Sequence, residues 1–170
     1  MNSLPIMEQF VTLQGEGFYT GKSAVFIRLA GCDVGCSWCD VKESWDENAH
    51  PLISVNDIVA SVLKYPTDFV VITGGEPTLH DLSTLTKELK SHKKYIAIET
   101  AGTNPTPENI DWVCFSPKKF KKPVTEIYDK VNELKVVVNN KADLRWANNH
   151  KEKVNKNAML YLQPEWSKSD

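Results

Sequence analysis

The chain has 170 residues, four cysteines and a formal net charge of −2, with 41% hydrophobic and 25% charged residues. That length leads us to expect one domain with one core. The balance excludes a disordered or membrane-spanning chain and a protein built on general affinity for nucleic acid or anionic lipid.

The opening MNSLPIMEQF has neither a cationic start nor an apolar run, so no signal peptide is expected and the cytoplasm is the default compartment. Clustered cysteines there are more often metal ligands than disulfides. Next comes SAVFIRLA (23–30), a short apolar run rich in β-branched and aromatic residues, which predicts a buried strand. GCDVGCSWCDVKESWD (31–46) follows it, with Cys32, Cys36 and Cys39 in a loop opened by Gly31 and loosened by Gly35. A helix is predicted over 54–65, where Ser54 caps and Asp57 sits in the first turn. FVVITG (69–74) is a second strand ending in TGGEP, and the leucines at 82, 85 and 89 predict a helix over 80–92.

Further strands are predicted at 95–100, 112–116, 133–138 and 158–163, with a weaker helical pattern over 141–154. No repeat, low-complexity tract or linker interrupts the alternation. The expected architecture is one α/β domain over 1–170 with a largely parallel sheet, whose pattern alone does not decide between an open sheet and a partial barrel. In such folds ligands gather at the carboxyl ends of the strands. The cysteine loop, TGGEP, ETAG (99–102) and SPK (116–118) are therefore expected to open together. The basic run SPKKFKKP (116–123) also reads as a solvated loop.

Three thiols on one loop suit three corners of a four-iron cluster, leaving one iron open for a substrate. The competing readings are a zinc site completed by His50 or His80, for Cys114 a buried small apolar residue, and for Glu76 a solvated carboxylate. The spacing Cys-x3-Cys-x2-Cys, with Trp38 inside and TGGEP after the second strand, resembles the radical S-adenosylmethionine superfamily. That resemblance implies a partial (β/α) barrel, a [4Fe–4S] cluster on Cys32, Cys36 and Cys39, and S-adenosylmethionine on its open iron. Glu76 falls in the segment that binds the cosubstrate's amino group.

Residues 10–45, together with VITGGEPTLHDL, ETAGT, SPK and LQP, are similar to the 7-carboxy-7-deazaguanine synthases. This resemblance implies a radical lyase of queuosine and deazapurine biosynthesis. A 5′-deoxyadenosyl radical takes hydrogen from C6 of 6-carboxy-5,6,7,8-tetrahydropterin, the ring contracts, and ammonia leaves to give 7-carboxy-7-deazaguanine. It assigns Leu13, Gln14, Gly15, Arg28 and Thr73 to the substrate. Trp38, Cys39, Asp40, Gly75, Glu76, Ser116, Pro117, Lys118, Gln163, Pro164, Glu165 and Trp166 are assigned to S-adenosylmethionine. No side chain is singled out as a general acid or base. The implied partners are a flavodoxin or ferredoxin as electron donor and a second copy in a homodimer, with no direct contact to nucleic acid or membrane.

The chain departs from the family in two places. Most relatives carry threonine after the Cys-Asp pair, where its hydroxyl helps to hold magnesium; Val41 has no side-chain oxygen, which leaves Mg2+ to water or backbone carbonyls, or dispenses with it. The family also continues past YLQPEWSKSD with a helix and a last strand, so a C-terminus truncated relative to the family is expected. The runner-up enzyme is a small activating enzyme that installs a glycyl radical on a partner protein. The non-enzyme alternative is a zinc-binding interaction module.

Overall fold

The computed structural model describes residues 2–165. The strands are β1 (Ser3–Leu13), β2 (Ser23–Leu29), β3 (Leu52–Ser54), β4 (Phe69–Gly74), β5 (Tyr95–Thr100), β6 (Trp112–Phe115), β7 (Glu133–Val138) and β8 (Met159–Pro164). The α-helices are α1 (Val55–Val62), α2 (Ser83–Ser91), α3 (Ile127–Lys130) and α4 (Lys141–Lys151). One eight-stranded sheet runs β3-β1-β2-β4-β5-β6-β7-β8. From β2 to β8 every neighbouring pair is parallel, whereas β1 pairs antiparallel with both β2 and β3. β3 and β8 end the sheet, which settles the question left open by the pattern: the barrel is partial.

Each expected strand is present. α1 starts where expected, with the Ser54 side chain accepting from the Asp57 amide. The helix expected over 80–92 begins later, at Ser83: Pro77–Leu79 forms a separate 3-10 turn, and the Asp81 carboxylate accepts from the Ser83 amide, which starts the helix only there. α4 is better defined than its pattern, because Asn140 and Asp143 form a reciprocal capping box. β1, β3 and α3 are additions to the expected elements.

Strand periodicity sorts side chains onto two faces. One face packs Val25, Ile27 and Leu29 of β2, Val70 and Ile72 of β4, and Ile96 and Ile98 of β5 against Ile58 and Val62 of α1 and Leu85 and Leu89 of α2. Burying those aliphatics supplies the main driving force, about 1.5–3 kcal/mol for each large side chain fully removed from water. Among the described residues no helix packs over the other face. That face carries an aromatic cluster of Phe26, Phe69 and Ala97 with Phe10, Tyr19, Tyr95 and Trp112, and nearer the carboxyl ends it turns polar.

Candidate functional site

Two glycines explain how the loops meet. The TGGEP segment leaves β4 directly against the start of the cysteine loop: the Gly75 amide donates to Leu29 O (3.1 Å) and the Glu76 amide to Gly31 O (2.8 Å). A Cβ on Gly74 would lie 2.2 Å from Leu29 O, and one on Gly75 would lie 2.3 Å from Gly31 O and 2.8 Å from Cys32 Cβ. Only glycine permits that approach.

Glu76 then clamps the next loop. It is 1% exposed. One of its oxygens, Oε1, accepts from the Thr78 amide (3.1 Å), Thr78 Oγ1 (2.6 Å) and Thr100 Oγ1, and Oε2 accepts from the Ala101 amide (2.8 Å). The carboxylate thus ties the end of β4 to the end of β5. The Ser116 amide donates to Thr100 O (2.8 Å), bringing the end of β6 alongside.

The three thiols sit within this frame. Cys32, Cys36 and Cys39 are free and share a cluster with Val34, Trp38 and Ala101. Burial pushes the Cys36 thiol up to about 11; Lys118 works in the opposite direction, and Cys32 and Cys39 add to the rise. Among the described residues no trio of His, Cys, Asp or Glu converges on a single-ion position. Three neighbouring thiols on one loop suit separate corners of an iron–sulfur cluster, where each sulfur takes its own iron. His50 Nε2 pairs with Glu43 O (2.8 Å) and His80 Nε2 with Ala30 O (2.7 Å), so one ring nitrogen of each histidine proposed to complete a zinc site is engaged with backbone.

The basic run is only partly the solvated loop that its composition suggests: Lys119, Phe120 and Lys122 are exposed. Lys118 reaches inward, with Nζ 5.5 Å from the Trp38 ring centroid and bonded to Ser116 Oγ, and burial lowers its pKa. Lys119 pairs with Asp143, and Lys121 with Asp33 of the cysteine loop. The run is anchored at Lys119 and Lys121 by acidic partners distant in sequence.

On the helix-free face, Arg28 and Thr73 are register neighbours on β2 and β4. Arg28 Nε donates to Glu8 Oε1 across the β1–β2 pair (2.6 Å), and the guanidinium lies 5.9 Å from the Phe10 ring centroid. Gln14 is held through both ends of its amide: Nε2 donates to Glu99 Oε1 (2.9 Å) and Oε1 accepts from the Glu16 amide (3.2 Å). Leu13 is 60% exposed, and a Cβ on Gly15 would meet nothing within 4 Å.

A polar network invisible to motif reading completes this face. Lys135 on β7 donates to Glu16 Oε2 (2.7 Å) and Glu99 Oε2 (3.5 Å). Glu133 accepts from Trp112 Nε1 (3.1 Å), the Phe18 amide (3.2 Å) and Cys114 Sγ (3.6 Å). Cys114 is buried as expected, and burial pushes its thiol well up, but its immediate partner is a carboxylate. One sequence signal pointed to this network: charged residues at 133 and 135, two apart within an otherwise apolar strand, must share the face opposite Leu134 and Val136.

Thus the cysteine loop, Trp38, Gly75, Glu76, Ser116, Pro117 and Lys118 form one neighbourhood. Arg28 and Thr73 form a second on the face beside it, with Gln14 reaching Glu99 there. Asp40 is exposed on the cysteine loop. Gln163 and Pro164 lie on β8, with β4, β5, β6 and β7 between them and β2. The Glu165 amide donates to Val138 O (2.9 Å). Trp166 lies outside the described residues.

Residues 26–137 match the family model of the Radical SAM superfamily. The 7-carboxy-7-deazaguanine synthase of Flavobacterium psychrophilum is 51% identical over 167 residues, covering 98% of this chain and 79% of the relative. The enzyme of that name from Escherichia coli strain K12 is 38% identical over 82% of this chain and 74% of the relative. The crystal structure of QueE from Escherichia coli superimposes with a TM-score of 0.88 at 33% identity, covering 98% of this chain and 86% of that one.

Proposed function

The chain belongs to the radical SAM superfamily and, within it, to the 7-carboxy-7-deazaguanine synthases, and from that premise we propose how its own residues carry out the reaction. The substrate is 6-carboxy-5,6,7,8-tetrahydropterin, whose ring contracts with loss of ammonia to 7-carboxy-7-deazaguanine. The observation that carries this reading is a loop of three free thiols whose Cys32 is seated against Gly75, with the register pair Arg28 and Thr73 on the adjoining strands.

Cys32, Cys36 and Cys39 would hold the [4Fe–4S] cluster. Bound there with S-adenosylmethionine, the cluster supplies one-electron reduction and a hydrogen-abstracting adenosyl group; the protein supplies position and environment. Trp38, Asp40, Gly75, Ser116, Pro117 and Lys118 border the cosubstrate, with Gln163, Pro164, Glu165 and Trp166 completing the set. Glu76 serves it by fixing the loops: all its oxygens already accept internal bonds, so its contribution is the shape of the wall. Arg28 offers its terminal nitrogens to the pterin carboxylate, because Nε is occupied by Glu8. Leu13, Gln14, Gly15 and Thr73 line the pterin.

Magnesium would draw on Asp40 and water. Val41 has no side-chain oxygen, and its carbonyl already accepts from Ser44 Oγ (2.7 Å) and the Ser44 amide (3.1 Å). Residues 1–170 act as one radical SAM domain, working as a homodimer with a flavodoxin or ferredoxin as reductant. Among the described residues no helix is long and apolar enough to cross a membrane. Anaerobic incubation with the tetrahydropterin, S-adenosylmethionine and a reductant tests the reading. It predicts 7-carboxy-7-deazaguanine and ammonia in equal amounts; adenosine products without the deazapurine would refute it.

A further inference from the structure

The nine residues between β1 and β2 do not turn back at once. They cross the helix-free face as far as β7. Phe18 stacks on Trp112 (centroids 4.9 Å apart), and the Tyr19 hydroxyl meets the Tyr95 hydroxyl at 2.8 Å. The Phe18 amide donates to Glu133, and Gly17 passes so close that a Cβ there would lie 1.9 Å from Glu133 Oε1. The start of the loop is tied elsewhere: Gln14 to Glu99 on β5, and Glu16 to Lys135 on β7.

We propose that Lys135 is a positioning residue for the substrate: its ammonium latches Glu16 of the β1–β2 loop and Glu99 of β5 together, and so holds Leu13, Gln14 and Gly15 at the pterin. The inference rests on the substrate reading given above. Lys135 is 5% exposed, with its Nζ 2.7 Å from one carboxylate and 3.5 Å from the other. It therefore lies beneath the loop. Glu99 is the shared member: one oxygen receives the Lys135 ammonium and the other receives the Gln14 amide. A neutral side chain at 135 would leave Glu16 and Glu99 facing each other without that cation. Repulsion would then move the exposed partner, Glu16, and with it Gln14, whose Oε1 accepts from the Glu16 backbone. Lysine suits the position because its single ammonium presents three donors that can reach carboxylates on different elements.

The test uses the cluster-loaded full chain and the variants Lys135→Met, Lys135→Arg and Glu16→Gln. Glu16 is half-exposed, so E16Q keeps a foldable protein even if K135M does not fold. The first readout is amide hydrogen exchange across residues 14–22 without substrate, and the second is steady-state turnover of the tetrahydropterin. E16Q and K135M should speed exchange in this loop at least tenfold and raise KM for the pterin at least tenfold, with kcat within threefold. K135R should recover part of both. S-adenosylmethionine cleavage without pterin should stay within twofold of the unsubstituted protein. Unchanged loop exchange in E16Q, or unchanged KM in spite of faster exchange, overturns the proposal. So does a fall in kcat alone, because that is what general structural damage would give. If the unsubstituted protein fails to turn over the pterin, the substrate reading falls, and the exchange measurement still decides whether the latch exists.

Discussion

Glu76 shows how a residue singled out by a motif can carry structural work that the motif does not reveal. In the sequence, TGGEP marks a ligand-binding turn. The donors that fill its carboxylate include Thr100 and Ala101, 24 and 25 positions away, and no local pattern encodes that meeting. The cysteines were legible because all three thiols fall on one short loop. Replacing Cys32, Cys36 or Cys39 with alanine should each abolish iron and acid-labile sulfide after anaerobic reconstitution, while Cys114→Ala retains both; metal analysis checks this. Arg28→Lys should weaken pterin binding by about 1–3 kcal/mol, the range for a charge-assisted hydrogen bond, because a point ammonium cannot both bond Glu8 and present a fork. Cosubstrate cleavage without pterin should change much less, and equal losses in the two assays would mark Arg28 as structural. Val41→Thr restores a hydroxyl beside Asp40, so magnesium titration of turnover should show half-saturation at a lower concentration than in the unsubstituted protein. Superimposable curves would show that position 41 does not govern the metal.

At the scale of elements, the buried strands and α1 were legible, and the edge of the sheet was not. β4 reads FVVITG with its first five residues buried, and a continuous apolar run of that kind announces itself. β1 contains Pro5, Glu8 and Gln9, has a register shift between Ile6 and Glu8, and exposes much of its length. Its strand character comes from pairing with β2 and β3, which lie well apart in sequence. α4 shows a second tertiary effect. Its weak apolar pattern is supplemented by His150, 6% exposed, whose Nδ1 meets the Tyr128 hydroxyl at 2.9 Å and whose ring packs on Trp146. Burial, helped by Lys153, lowers its pKa from 6.5 to about 4. The folded chain therefore keeps His150 neutral, whereas the unfolded chain takes up a proton below about 6.5. Its contribution to stability is complete above pH 6.5 and is lost as pH falls toward 4. Denaturation midpoints between those limits should fall less steeply for His150→Gln than for the unsubstituted protein, and parallel curves would contradict this assignment.

Across the whole molecule, a single organising fact places the chemistry: six parallel strands point their carboxyl ends the same way, so loops distant in sequence open onto one rim. Periodicity in the sequence was enough to expect that rim. It was not enough to foresee the β1–β2 loop crossing the helix-free face, because that path depends on Gly17, Glu133 and Lys135 meeting in three dimensions. The rim holds the thiols, and the face beside it holds Arg28 and Thr73. The central claim is that these two neighbourhoods act on one substrate. Anaerobic turnover of 6-carboxy-5,6,7,8-tetrahydropterin deuterated at C6 tests it most directly, with the adenosyl 5′ carbon and the deazapurine both read by mass spectrometry. The account predicts 7-carboxy-7-deazaguanine together with deuterium at the 5′ position. Reductive cleavage of S-adenosylmethionine that leaves the deuterated pterin intact would contradict it.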